Sequence, residues 1–133
     1  MKNIADTGLL KALLDKDDIR HEWGLAQFQE RAPFHTCDAV LMELAFLLDT
    51  PIPGLELLQR GALILDFDLS HEVSHLLDLL HKYQDREMEL ADACLVRMSE
   101  LNSQCKIWTV DREDFSVYRR HGRQVVPCEF PPA

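Results

Sequence analysis

At 133 residues the chain has room for one domain with a real core, and its 47% hydrophobic and 28% charged residues match ordinary globular composition. The net charge of −9 argues against loose, sequence-blind binding to nucleic acid, but not against a nuclease that places metal ions between its acids and a phosphate. No apolar run approaches the ~18–20 residues that span a bilayer, and MKNIADTG lacks the regions of a secretion signal, so the protein is expected in the cytoplasm.

MKNIAD predicts a first strand that ends on an acid, and TGLLKALLD follows with helical spacing. DDIRHEWGLAQFQER is a second helical stretch with acids in its first turn. FHTC predicts a short strand, and Asp38 is placed to cap the helix AVLMELAFLL. DTPIPGLELLQRG combines a proline turn with a short helix, and ALILDF predicts a third strand. LSHEVSHLLDLLHKY and REMELADACLVRMSELN predict two more helices. KIWTV predicts a fourth strand, DREDFSVYRR a helix, and RQVV a fifth strand before a proline-rich tail. Alternating strands and helices, with no internal repeat or linker, imply a single domain over 1–133. The expected fold is a three-layer α/β/α sandwich around a mainly parallel, twisted sheet of four to five strands. Ligands of such sheets bind beyond the carboxyl ends of the strands, where strand order reverses. Asp6 and Asp111 should lie on that edge.

HEVSH, residues 71–75, spells the H-E-x-x-H pattern of zinc metalloproteases. On a helix starting at Leu69, however, Val73, Leu76, Leu77 and Leu80 form the apolar stripe, and His71, His75 and Asp78 fall opposite. The extended zincin pattern needs Gly where Asp78 stands. The pair reads as a solvated face. Cys37, Cys94, Cys105 and Cys128 form no C-x-x-C pair, which suits a reducing compartment, and Cys94 reads as a small core residue.

Acids in apolar surroundings are the sharper signal. Glu43 is the one polar residue in AVLMELAFLL, and Asp92 the one in LADACLV. A carboxylate in a helix packed on both sides needs a basic group, a hydrogen-bond donor or a metal. Asp6 and Asp111 each have a simpler reading as a helix N-cap, and Asp111 with Asp114 resembles a capping box. Glu89, one turn before Asp92, could join the same cluster. Such acids at one sheet edge would suit Mg²⁺ or Mn²⁺, which can activate water and stabilise the leaving oxygen of a phosphodiester.

Four stretches, IADTGLLKALLD, VLMELAFLL, KYQDREMELADACLVRMSE and IWTVDREDFSVYR, resemble the PIN-domain family, particularly the VapC-type ribonucleases of bacterial toxin–antitoxin pairs. The likeness runs in the family's order from about Asp6 to Pro127. It implies a twisted parallel sheet between helices and Mg²⁺ or Mn²⁺ held by Asp6, Glu43, Asp92 and Asp111. Asp114 is a fifth candidate ligand. Thr109 matches a supporting hydroxyl residue, and Glu89 stands where close relatives often carry Asp. The resulting expectation is a metal-dependent endoribonuclease, the toxin of a type II pair, with RNA as substrate, a small antitoxin as partner and a homodimer as its own state. The basic residues Arg119, Arg120 and Arg123 are candidates for steering RNA, or else place positive charge at a helix end. The alternative is a catalytically weak PIN-like regulatory module acting through a protein partner. A phosphoacceptor receiver domain would need paired acids after strand one and a lysine after strand five, and has neither.

Overall fold

Ile4 and Ala5 are adjacent in the chain, and both are fully buried, which marks a strand covered on both faces. The structure, a computed structural model, describes residues 1–133. In chain order the elements are β1 (Lys2–Ala5), α1 (Thr7–Leu14), α2 (His21–Arg31), β2 (Phe34–Thr36), α3 (Asp38–Leu48), α4 (Ile52–Gln59) and β3 (Leu63–Leu65). They continue with α5 (Val73–Lys82), α6 (Leu90–Leu101), β4 (Cys105–Trp108), α7 (Arg112–Phe115), β5 (Arg119–Arg120), β6 (Gln124–Val125) and β7 (Cys128–Glu129).

Five strands form one sheet in the order β3-β2-β1-β4-β7, and every pairing is parallel. Helices flank this sheet in a three-layer α/β/α sandwich, as the alternation of elements predicts. The chain winds outward from β1 in both directions, so strand order reverses between β1 and β4. Asp6 N donates to Trp108 O at 3.1 Å there, which sets the residues after β1 beside those after β4. Two glycines permit close packing around this point. A Cβ on Gly24 would lie 2.8 Å from Leu13 N, so α2 needs glycine to rest on α1. A Cβ on Gly8 would lie 2.3 Å from Val110 Cγ2, so any larger residue in the first turn of α1 would have to push the Val110 side chain aside. The core continues through Leu9, Leu10, Phe34, Leu63, Leu95 and Ile107. The four cysteines are free thiols, and Cys94 is fully buried in the core. No helix is long and apolar enough to cross a membrane.

Four expectations need correction. RQVV is not the fifth sheet strand. Its Gln124–Val125 pairs antiparallel with Arg119–Arg120 in a small hairpin, turned by His121 and Gly122 at positive φ. The fifth strand is β7, in the segment read as tail. The helix expected over 111–120 stops at Phe115, because its last residues enter that hairpin. Asp38 lies inside α3, whose N-cap position is Cys37, and so caps nothing. Finally, α3 is not packed on both sides: Val40 and Leu44 are buried, but Met42 and Phe46 are 74% and 80% exposed.

Candidate acidic metal site

The site starts from two helix caps. Asp6 follows β1, and its Oδ1 accepts from Thr7 N at 2.7 Å at the start of α1. Asp111 follows β4, and its Oδ1 accepts from Asp114 N at 3.0 Å at the start of α7. Thr109 joins them. Its hydroxyl donates to Asp6 Oδ2 at 2.6 Å and accepts from Asp111 N at 3.0 Å. Both acids are therefore caps, as the simple reading has it, and both also line one cleft. The expected capping box is only half present, since the Asp114 carboxylate turns away to Arg86.

This cleft, of about 580 Å³, is lined by Asp6, Asp18, Glu43, Glu87, Glu89, Asp92, Asp111 and Asp114, against three bases, Lys11, Arg20 and Arg86. Asp92 faces it from the first turn of α6, Glu43 from α3, and Glu89 from the N-cap position of α6 rather than from inside the helix. Asp92, Asp111 and Asp114 come closest, with carboxylate oxygens all within 4.8 Å of one another. Oxygens on opposite sides of one Mg²⁺ lie about 4.2 Å apart. A small side-chain adjustment would therefore bring these three onto one ion. The donors are all carboxylate oxygens, which fits Mg²⁺ or Mn²⁺ better than zinc. Asp6, Glu43 and Glu89 line the same cleft outside this closest group.

Electrostatics reflect the crowding. Burial, reinforced by the charges of Asp6, Asp111 and Glu89 and opposed by the Tyr118 hydroxyl, pushes Asp92 up to about 7. Burial also lifts Asp6, only 7% exposed, to about 6, against the lowering effect of its bonds from Thr109 and Thr7. Glu43 is raised by burial and by Glu89, against the lowering effect of the Thr7 hydroxyl, and Asp111 by burial and by Asp114. The buried Thr7 hydroxyl makes no close hydrogen bond, and Glu43 is the group it faces.

HEVSH does not form a metal site. Its helix begins only at Val73, and His71 sits in a separate 3₁₀ turn over 69–71. His71 Nδ1 lies 2.5 Å from Asp68 Oδ2, and both are well exposed. The buried face of α5 is Leu76 and Leu79, while Val73 and Leu77 of the expected stripe are exposed.

The basic residues expected to steer RNA point elsewhere. Arg119 Nη1 donates to the carbonyls of Ser116, Val117 and Tyr118. Arg120 Nη1 donates to Ser99 O at 2.8 Å and, less closely, to Asn102 O at 3.4 Å, which places its charge at the negative end of α6. Arg123 is exposed, and none of the three lines the cleft. Sequence reasoning missed Lys11, Arg20, Arg86, Thr7 and Tyr118. Arg86 lies in the quoted stretch KYQDREMELAD, but nothing in a mixed-charge loop marks one arginine among several polar neighbours. Compared with known proteins, the chain matches no protein-family model and no curated sequence.

Proposed function

We propose that this protein is a metal-dependent endoribonuclease of the PIN-domain kind, acting in the cytoplasm as the toxin of a type II toxin–antitoxin pair. One observation carries the reading: acids from the ends of β1 and β4, from α3 and from α6 converge in one cleft at the switch point of a parallel sheet. Asp92, Asp111 and Asp114 would hold Mg²⁺ or Mn²⁺, with Asp6 beside them. When bound, such an ion supplies Lewis-acid activation of water and charge stabilisation at the phosphorus. Thr109 fixes Asp6 and the Asp111 backbone relative to each other, and Tyr118 orients Asp92. Glu43, outside the closest three and held above its ordinary pKa, is the group we assign to accept a proton from the attacking water.

The same reading includes two protein partners. The exposed face of α3 and α4 carries Met42, Phe46, Ile52 and Leu55 beside an apolar groove of about 390 Å³. Such a face supports contact with an antitoxin helix and with a second copy of the chain. The activity test is cleavage of RNA with Mn²⁺ and with EDTA by wild type and Asp92→Asn. The variant should lose at least ~100-fold, the scale of losing a main electrostatic stabiliser. His71→Ala with His75→Ala should cleave like wild type. Full activity of Asp92→Asn would remove Asp92 from the mechanism, and loss of activity in the histidine variant would reopen a zinc site.

A further inference from the structure

Arg86 is the one basic side chain paired with the three closest acids. It ends the turn over 84–86, between α5 and α6, and reaches across to α7, where its Nη2 donates to Asp114 Oδ1 at 2.8 Å. Glu87 follows at φ 55, a left-handed conformation that residues other than glycine seldom adopt. The chain therefore turns sharply where the guanidinium enters the cleft. A guanidinium and a divalent ion thus compete for the same carboxylate. The pair is about a third exposed, with side chains at 33% and 35%, so its net strength is modest and exchange costs little.

An acidic cleft that takes RNA also needs a cation for the phosphates beside the cut. Arg119, Arg120 and Arg123 do not line it. Lys11 is already engaged by Asp15 and Asp18, and Arg20, which also lines the cleft, makes no ion pair with Asp92, Asp111 or Asp114 and so could not couple a phosphate to the metal. Arg86 is already among the acids, and its planar fork matches a phosphate's oxygens in a way an ammonium cannot. Resting on the nuclease reading, we propose that Arg86 passes between two anions: it neutralises Asp114 until a divalent ion takes that carboxylate, and then holds a phosphate of the RNA. Metal and substrate binding are then coupled through one side chain, each favouring the other.

The two roles predict shifts of opposite sign, which a merely structural role would not produce. Calorimetric titration with Mn²⁺ should show Arg86→Gln binding the ion roughly three- to tenfold tighter than wild type, since a competing cation is gone. In saturating Mn²⁺, the same variant should bind a cleavage-resistant 2′-O-methyl oligoribonucleotide roughly tenfold more weakly, by fluorescence anisotropy. Arg86→Lys should keep near wild-type Mn²⁺ affinity and still bind the oligonucleotide more weakly, because it keeps the charge and loses the fork. Unchanged or weaker Mn²⁺ binding by Arg86→Gln, or unchanged oligonucleotide binding, overturns the exchange and leaves the nuclease reading standing. A wild type that takes up no Mn²⁺ contradicts the nuclease reading itself, and the exchange falls with it.

Discussion

The Tyr118 hydroxyl donates to Asp92 Oδ2 at 2.9 Å, and this is the one hydrogen bond the Asp92 side chain makes within the protein. Tyr118 is itself buried, its ring packed edge-on against Tyr83 and Phe115. The bond favours the ionised carboxylate, in opposition to burial and to the neighbouring acids. Tyr118→Phe keeps the ring packing and removes the donor. It should cost about 1 kcal/mol of stability or less, raise Asp92 further, and move the onset of Mn²⁺ binding to higher pH. Metal titrations at several pH values check this. An onset that stays in place would show that the hydroxyl does not tune the site.

The acids also predict how stability depends on pH without metal. Asp6 and Asp92 are held near about 6 and about 7, above their ordinary 3.8, so between these values the folded chain binds protons that the unfolded chain has released. Their stabilising contribution is complete below about pH 4 and is lost as pH rises through about 6 and 7. The charge of Asp6 adds to the rise at Asp92. In EDTA the melting temperature should therefore fall between about pH 5 and pH 8. Saturating Mn²⁺ should flatten or reverse that fall, since the metal binds the ionised form. A melting temperature that rises across this range in EDTA would contradict the crowding.

The exposed apolar side chains of α3 and α4 predict self-association. Phe46, at 80% exposure, is the largest of them. Sedimentation should show dimer at micromolar concentration, and Phe46→Asp should shift it to monomer while leaving the fold intact, because so exposed a side chain adds little to the chain's own core. Monomer alone in the wild type, with no partner co-purifying from its native operon, would count against both proposed partners.

Much of this architecture is legible without coordinates, for identifiable reasons. Strands β1, β3 and β4 announce themselves as short, mostly apolar runs between helical periods, and β2 as a short break between two helices. The acids Glu43 and Asp92 stand out because each interrupts an apolar run. The fifth strand does not announce itself. β7 is two residues long and follows Pro127, and its place is fixed by bonds from Ile107 N to Pro127 O and from Thr109 N to Glu129 O. A proline can begin an edge strand, but short proline-flanked segments read as tails. The helix expected over 111–120 is suggested by Phe115 and Tyr118, which are three apart and both buried. That spacing is met by a short helix followed by a turn. In α3 an almost wholly apolar run reads as burial, although Met42 and Phe46 face outward. Composition cannot separate a core helix from a surface helix with an exposed apolar face. The cleft's cations are invisible in the sequence for a related reason. Arg86 meets Asp114 across 28 residues, and only the fold brings them together.

If the cleft acids are crowded without a cation and relieved by one, the most direct measurement is a thermal melt of wild type and Asp6→Asn in EDTA and across a Mn²⁺ titration. The asparagine of this variant can still accept from Thr7 N and can donate to the Thr109 hydroxyl, so capping is kept while one charge is removed. Asp6→Asn should be at least as stable as wild type in EDTA near pH 8. Mn²⁺ should stabilise wild type by about 2.7 kcal/mol at a hundred times its dissociation constant, and the variant by less. If wild type shows no metal-dependent shift and Asp6→Asn melts with it in every condition, these acids are caps and surface charges, and the nuclease reading loses its physical basis.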